Sequence, residues 1–545
     1  MLEPWVRYED DELLVVAKPA GVNTHRADTH TQDGMYEWVQ RQRPGQALAI
    51  LHRLDKATSG LLVFGKSAAA NQSLTGQFEA RLVDKRYELL VAHDDERPAV
   101  LECHDAVDST GRDGRIRRSA ATDFERQAAG AGYDRWAAHP HTGRTHQVRV
   151  HATALGMAIL GDDEHGGAAA ARLFLHAAAI GLDHPTAGRL ELEDARPASF
   201  DRVLAAGDAQ PDDAQPDDAQ PADSQPDGAG LAAAVAHEAR AALFDPADTN
   251  AYLWIDRHHD GFADLRLERL GDVALALNYT DGDAPLPPAW LEAWHATLDL
   301  RAVYEQRRPR GGGGPARRVS GADQPRFEVT ELGLRYLIDL EASATSSGLF
   351  LDQRETRRRL RSADLTGQTL LNAFAHTGSL SVAAAAAGAT TLTLDLSPRY
   401  LDWARDNLRA NAIDPGDHDF IYGDALEWMD RLARKGRTFD LVLVDPPSSS
   451  TSTKRSRGRW VVERDLHLLV ESAARLCAPG ATLFVSTNLH RMRWPRFLEH
   501  LEGGLVAADR SGTIETQTLP LDHRSGPGDP PYLKAAWVSL DGDAR

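Results

Sequence analysis

The sequence predicts a multidomain chain: an α+β domain with a mixed or antiparallel sheet, a small α+β subdomain, and an α/β domain on a doubly wound, Rossmann-like parallel sheet. Three observations predict it. At 545 residues the chain exceeds the roughly 100–200 that one core usually holds. From Asp208 to Gly228 it repeats Ala-Gln-Pro-Asp with small variations, without an aromatic or β-branched residue to build a core. After Phe350 apolar strands alternate with helical segments. The expected divisions are 1–204, a disordered acidic linker over 205–230, a subdomain over 231–345 that could bind RNA, and 346–545. The linker should tether two independent modules without transmitting structure.

Composition narrows the class. Hydrophobic residues at 42% and charged residues at 26% suit soluble domains. Cys103 and Cys477 are the whole cysteine complement, too few for a disulfide framework or a cysteine-rich zinc site, so a reducing, cytoplasmic setting is expected. Neither an export signal at the start nor a membrane-spanning segment is expected; the alanine-rich run Leu380 to Ala387 is too short to cross a bilayer. The net charge of −19 disfavours a phosphate backbone at long range. Seven of the excess acids lie in the repeat, and without them the net charge is −12. Arginines and lysines cluster instead at Arg112, Arg115, Arg117 and Arg118, at Arg307, Arg308, Arg310, Arg317 and Arg318, and at Lys454, Arg455, Arg457 and Arg459. Gly, Ser or Pro surrounds each cluster, which predicts surface loops.

In the first unit Leu13 to Ala17 and Gly60 to Phe64 read as apolar strands, and Tyr87 to Ala92 and Gln147 to His151 as strands with one wet face. His52-Arg53-Leu54-Asp55-Lys56-Ala57-Thr58-Ser59-Gly60 precedes the second strand. A carboxylate in such a turn would be held ionised by neighbouring charge and hydrogen bonds, as a nucleophile requires, although an Asp that only caps a turn fits the segment too.

That segment resembles the H-R-L-D-x-x-T-S-G motif of the RluA-type pseudouridine synthases. Lys85-Arg86-Tyr87, Pro140-His141-Thr142-Gly143-Arg144-Thr145-His146-Gln147-Val148-Arg149-Val150-His151 and Phe174-Leu175-His176-Ala177-Ala178 resemble the family's later motifs, in order. The resemblance covers about Leu13 to Phe200. It implies that Asp55 attacks or stabilises the ribose, that Tyr87 stacks on the flipped base and can move a proton, that Arg144 pairs with Asp55, and that Arg53 helps displace the nucleotide. Tyr87 as a plain core aromatic and Arg149 in place of Arg144 both stay open. This half would need no cofactor and no metal, and would act on ribosomal or transfer RNA.

In the second unit short strands from Tyr252 to Tyr279 surround Arg257-His258-His259-Asp260-Gly261, and Trp290 to Tyr304 reads as a helix. Then come strand Thr369 to Phe374, helix Ser379 to Ala387, strand Thr391 to Asp395, helix Pro398 to Ala410, strand Asp419 to Tyr422, helix Ala425 to Arg434, strand Phe439 to Val444, helix Glu463 to Cys477 and strand Thr482 to Ser486. Apolar strands near Leu505 and Ala535 would complete the sheet. Ligands of such a sheet bind at the carboxyl ends of its strands. Asp395, 17 residues beyond Gly378, ends the second strand where a carboxylate can hold a ribose hydroxyl pair. The turn has one glycine where a pyrophosphate-binding turn has three, so a nucleoside without phosphates fits better. Asp445-Pro446-Pro447 ends the fourth strand; two prolines remove two backbone donors, leaving carbonyls and the carboxylate to face a base.

Here the chain resembles the RlmK-like 23S ribosomal RNA guanine methyltransferases, through Gly348 to Arg354, Leu371 to Gly378, Tyr400 to Leu408, Gly423-Asp424-Ala425, Asp445-Pro446-Pro447 and Glu463-Arg464-Asp465. It departs from them at Ser448-Ser449-Ser450 and Leu466, and the resemblance covers about Ala251 to Leu540. It implies S-adenosylmethionine as cofactor, with Asp352, Arg354, Asn372, Phe374, Thr377, Gly378, Asp395, Asp424 and Asp445 lining its site and Pro446 and Pro447 facing the substrate. Asp395 would hold the ribose and Asp424 the adenine amino group. A related branch makes 5-methylcytosine with a cysteine nucleophile, where this chain has Val485-Ser486-Thr487-Asn488, so a guanine nitrogen, N7 first, is expected. The expected partner is RNA, most of all 23S ribosomal RNA, with no membrane and no obligate protein partner. An RNA-binding assembly protein with idle sites is the competing class.

Overall fold

A computed structural model describes the chain except for residues 1–2, 29–30, 112–113, 207–225, 281–284, 309–313, 343–345, 448–460, 525–530 and 543–545. Most of the expected linker, Arg112, Arg310, Ser448 to Ser450 and the Lys454 to Arg459 cluster lie outside the described residues. At the linker's ends, Ala205 and Ala206 close the helix Ala198–Ala206, and the helix Pro226–Ala241 begins within the expected tether.

The first unit is built on a ten-stranded mixed sheet. Its central strand Leu175–Asp183 pairs in parallel with Ser59–Gly65 and antiparallel with Asp84–Ala92, bringing the motifs of three distant segments side by side. Gly60 is required there: at φ 115° it presses so close to Leu175–Asp183 that a Cβ would lie 2.3 Å from the Ala177 carbonyl oxygen.

Gln147 to His151, expected as a strand, is part of the helix Gln147–Ala154. The alternation of polar and apolar residues is real, but its polar members do not face water. Gln147 donates to Ala121 O and Thr122 Oγ1, Arg149 binds Asp162, and His151 meets Thr122 Oγ1, all of them buried. Polar groups selected for internal partners produce the period of a strand on a helical backbone.

The subdomain carries a five-stranded sheet from Ala251 to Gly321 and a hairpin, Arg326–Glu331 with Leu334–Asp339. The helix expected from Trp290 to Tyr304 ends at Leu298, where Asp299 adopts left-handed φ 50°, and Ala302–Arg307 forms a buried strand parallel to Val273–Asn278. Arg317 and Arg318 lie on a strand, as do Arg117 and Arg118, rather than in loops.

In the last unit the seven strands run in spatial order Asp419–Tyr422, Thr390–Asp395, Thr369–Ala373, Phe439–Val444, Cys477–Thr487, Lys534–Leu540, Gly512–Gln517. The first five are parallel and Lys534–Leu540 is antiparallel to its neighbours, so this is the doubly wound sheet with one reversed strand near its edge. Leu505 lies on the helix Trp494–Ala507, not on a strand: Phe497, Leu501 and Leu505 repeat every four residues and bury one helical face. The helix expected to reach Cys477 ends at Ala474, and Cys477 opens the next strand.

The halves are not independent beads. Trp5, Leu14, Met35 and Trp38 of the first unit share one buried cluster with Leu243, Phe244, Tyr252 and Leu521 of the second. Arg358 Nη1 donates to Gln42 Oε1 at 2.8 Å, Gln32 Nε2 to Pro520 O at 3.0 Å and Arg524 Nη1 to Ala20 O at 2.8 Å across the same boundary. Each fully buried large apolar side chain contributes about 1.5–3 kcal/mol, so this contact adds stability beyond what a tether supplies. Among the described residues no helix is long and apolar enough to cross a membrane.

Candidate active sites

Asp55 sits in the turn before strand Ser59–Gly65, closed by Thr58 N donating to Asp55 O at 3.1 Å. Its side chain is 28% exposed, open enough for a ligand to reach. Arg149 Nη1 lies 3.7 Å from one carboxylate oxygen and His146 Nε2 3.8 Å from the other. Arg149 is fixed by Asp162, which takes both its Nε at 2.8 Å and its Nη2 at 2.5 Å, and by Glu164 at 2.8 Å. Although burial alone would make this guanidinium easier to deprotonate, these carboxylates hold it above the ordinary range.

The expected partner Arg144 is therefore corrected to Arg149. Arg144 follows Gly143 before the helix starts, its backbone N donates to Gln147 Oε1, and its Nε is buried without a hydrogen-bond partner. Arg149, one turn into the helix beyond His146, points at Asp55. The i, i+3 spacing of His146 and Arg149 would have shown this had the segment been read as a helix.

Tyr87 lies opposite Ala177 and Ala138 in the sheet, and burial first, then the charge of Asp55, raises its phenol pKa. It stays a neutral hydroxyl at physiological pH. His52 is structural: its Nε2 accepts from Val63 N at 3.1 Å, and burial pushes its pKa down to about 3. Arg53 is exposed beside the site. Sequence reading missed Lys18, 1% exposed, whose Nζ donates to Pro19 O, Val22 O and Lys56 O. His146, Glu164 and His165 bring ligand atoms within 4.8 Å of one another, but Glu164 is already engaged by Arg149.

In the second unit Phe374, Asp395, Asp424 and Asp445 stand at the carboxyl ends of four adjacent parallel strands. The chain leaves Thr369–Ala373 through Phe374, His376 and Gly378, all at positive φ, and Gly378 leads into the helix Ser379–Ala385. Asp395 spans this turn, accepting from His376 N and Ser397 N at 2.8 Å each. Burial raises its pKa, and the backbone donors oppose the rise. Asp424 caps the next helix by accepting from Leu426 N and Glu427 N. Thr377 donates to Gly348 O at 2.6 Å and Asn372 donates to Ser381 Oγ at 2.9 Å; both are buried and set the turn's shape.

Asp445 accepts from Ser486 Oγ at 2.6 Å and Gln353 Nε2 at 3.0 Å, both neutral donors. Burial pushes its pKa up to about 6, and the charge of Asp352 adds to the rise. Pro446 is buried and Pro447 exposed. Asp352 accepts from Tyr532 at 3.0 Å and lines a cavity of about 390 Å³ together with Phe350, Arg266, Asn488 and Arg524.

Arg354, expected in the cofactor site, is elsewhere. It is fully buried, donating to Glu331 at 2.9 Å, Asp522 at 2.5 Å and Ala251 O at 2.8 Å, so every arm is spent on joining the subdomain to the sheet. The carboxylates at the strand ends, the two-armed Asp395 and the absence of a glycine-rich phosphate cradle suit a nucleoside cofactor such as adenosylmethionine.

Residues 12–154 match the family model for RNA pseudouridylate synthases, and residues 277–503 match that for S-adenosylmethionine-dependent methyltransferases. The chain is 42% identical over 219 residues to a ribosomal RNA large subunit methyltransferase K/L of Allochromatium vinosum, covering 40% of this chain and 28% of that one. It is 29% identical over 297 residues to a putative ribosomal RNA large subunit methyltransferase of Bacillus subtilis, covering 53% of this chain and 74% of that one. The chain spans a third or less of the first curated relatives' length. A putative S-adenosylmethionine-dependent methyltransferase from Streptococcus mutans shares the fold at TM-score 0.52 and 24% identity, over 58% of this chain and 81% of that one. A putative methyltransferase crystallised with SAH does so at TM-score 0.53 and 24% identity, over 57% and 81%. An RNA pseudouridylate synthase domain is thus fused to an S-adenosylmethionine-dependent methyltransferase domain.

Proposed function

We propose that this fusion of synthase and methyltransferase is a bifunctional RNA-modifying enzyme: it isomerises uridine to pseudouridine at Asp55 and methylates a guanine, at N7, in 23S ribosomal RNA. The observation that carries the reading is the pair of separate carboxylate sites, Asp55 facing Arg149 and His146, and Asp395 and Asp445 at the strand ends. The similarity to ribosomal RNA large subunit methyltransferases supports ribosomal RNA as substrate, and transfer RNA is the alternative for the synthase half.

In the first site Asp55 acts at the ribose carbon as the bond to N1 of uracil breaks. The base then turns and bonds through C5, and the C5 proton departs as N1 gains one. Arg149 holds Asp55 in place, and the neutral Tyr87 hydroxyl packs on the base and relays a proton. Arg53, exposed at the rim, helps fill the space the flipped nucleotide leaves.

Bound adenosylmethionine supplies an electrophilic methyl group to the second site. Asp395 would hold its ribose hydroxyls, Asp424 its adenine amino group, and Asp445-Pro446-Pro447 the edge of the target base. Guanine N7 attacks through its own lone pair and needs no base. A cytosine C5 target needs a cysteine nucleophile, and Cys477, buried with its thiol pushed up to about 12, does not serve. One observation favours guanine N2 as a second reading: an amine must lose a proton on methylation, and Asp445, poised at about 6, can accept it.

The test is to map pseudouridine and methylated guanine in RNA from cells with and without the gene. Loss of one site of each kind is expected, and chromatography of the digested nucleosides separates N7 from N2. Unchanged maps would refute the reading.

A further inference from the structure

Between the subdomain and the methyltransferase sheet lies the cavity of about 390 Å³ that Asp352 lines, a size within the roughly 300–1,000 Å³ of small-molecule sites. Asn488 and Phe350 on its lining are exposed, the latter by 41%, so the cavity opens to solvent there, while Leu275, Leu277 and Leu349 give it a buried apolar floor. Two short connections join it to Asp445. Gln353, next to Asp352, donates to one Asp445 oxygen at 3.0 Å, and Ser486, two residues before Asn488, donates to the other at 2.6 Å. Phe374, Asp395 and Asp424 do not line it, so it is separate from the strand ends to which the cofactor's ribose and adenine are assigned.

The subdomain strand Leu265–Leu270 forms one wall. Its Leu265 and Leu267 join the buried cluster around Trp290 and Trp294, as do Ala274 and Ala276 of the next strand. The opposite face sets Arg266 beside Leu277 and Glu268 beside Leu275, so two charges stand on a face turned toward a second domain, where packing alone would call for leucines. Arg266 is engaged by His523 Nε2 at 2.9 Å and by the Tyr532 hydroxyl. Of the three carboxylates that line the cavity, Asp256 accepts from Arg524 N at 2.8 Å and Asp352 from the Tyr532 hydroxyl at 3.0 Å, whereas among the described residues no hydrogen bond reaches the Glu268 carboxylate. Burial raises its pKa, and the charges of Arg266 and Arg308 oppose the rise. A ligand that brings two N–H donors side by side therefore gains from meeting Glu268.

Guanine is a base of that kind. Its N1–H and N2 amine are neighbours on the Watson–Crick edge, across the rings from N7, whereas adenine presents an acceptor at N1 and hypoxanthine lacks the amine. We propose that this cavity receives the target guanine, turned out of the RNA, with N1–H and the N2 amine donating to Glu268 while N7 points toward Asp445. The proposal rests on the functional reading above and adds the subdomain residue that selects the base. The exposed ring of Phe350 gives the entering base an apolar surface to cover.

The test uses the full chain loaded with S-adenosylhomocysteine. In calorimetry guanosine monophosphate should bind about tenfold more tightly than inosine monophosphate, which lacks only the N2 amine, and Glu268→Gln should bring the two within twofold. The affinity for S-adenosylhomocysteine should equal that of the parent, which reports that the variant is folded. Should Glu268→Gln misfold, Glu268→Asp, which draws the carboxylate back from the base, is read identically. In methylation of a 23S ribosomal RNA fragment, replacing the mapped guanosine by inosine should lower kcat/KM about tenfold for the parent and less than threefold for Glu268→Gln; a merely structural role would slow both substrates and keep the ratio. Guanosine monophosphate that binds the parent no more tightly than inosine monophosphate, or a preference that survives Glu268→Gln, overturns the pocket. N2-methylguanosine as the parent's product also overturns it, because the amine would then face Asp445. The binding arm needs no turnover, so a parent that methylates no guanine would count against the functional reading and not against the pocket.

Discussion

Asp55 and Asp445 are two carboxylates to which the proposed function assigns work, and the chain surrounds them with different charge. Asp55 is partly open to solvent and faces a guanidinium and an imidazole, with Arg149 locked in place by two further acids. Asp445 is likewise only partly buried, but it receives its hydrogen bonds from a hydroxyl and an amide, neither of which carries charge. The first arrangement suits a carboxylate that must stay negative while a glycosidic bond breaks. The second leaves the proton affinity of Asp445 near neutrality, which suits contact with a base edge that can donate.

The largest test of that contrast is a double dissociation. Asp55→Asn should reduce pseudouridine formation about a thousandfold and leave methylation intact, whereas Asp395→Ala should weaken adenosylmethionine binding by calorimetry and leave pseudouridine intact. Crossed effects of comparable size would show that the two sites are not separate in their chemistry.

The next test concerns which arginine serves Asp55. Arg149→Gln should cost about a hundredfold in pseudouridine formation and also lower Tm, because Asp162 would be left buried and unpaired. Arg144→Gln should cost less than about threefold, since no ion pair joins Arg144 to Asp55 among the described residues. Equal losses would restore the partner that the motif first suggested.

A smaller effect separates Asp445 by pH. Its pKa of about 6 in the folded protein exceeds the roughly 3.9 of an unfolded aspartate, so the folded state holds this proton more tightly. That contribution is full below about pH 4 and is lost as pH rises through 6. Asp445→Asn should therefore raise Tm by about 2–4 °C at pH 8 and leave it unchanged at pH 4. A rise at both values would mean that the ionised carboxylate is not the strained form.

The smallest expected effect is that of cutting the chain near Asp217. Because Trp5 and Trp38 share a core with Leu243 and Phe244, the two fragments should co-migrate on gel filtration and keep most of both activities. Separation into two soluble fragments would show that the linker and not the interface holds the halves together.

Six of the seven strands of the methyltransferase sheet were legible as short runs bounded by turns, and the turn around Asp55 was legible from its motif; the seventh, Gly512–Gln517, has Ile514 as its one apolar residue and was missed, with a strand expected near Leu505 instead. What else escaped the sequence shares one cause. Gln147 to His151 looked like a strand because its polar residues bind internal partners, which a pattern of hydrophobicity scores as exposure. Arg354 looked like a ligand residue because a charged side chain beside a motif gives no sign that Glu331 and Asp522, distant in sequence, will enclose it. The interface between the halves escaped for the same reason: nothing in the sequence around Leu243 and Phe244 signals that Trp5 and Trp38, distant in the chain, pack against them.

The most direct measurement incubates the full chain with 23S ribosomal RNA transcribed without modifications, with and without adenosylmethionine, and quantifies modified nucleosides by mass spectrometry. The account predicts pseudouridine in both reactions and a methylated guanine only when adenosylmethionine is present. Pseudouridine that depends on adenosylmethionine, or a methyl group found on a base other than guanine, would contradict it.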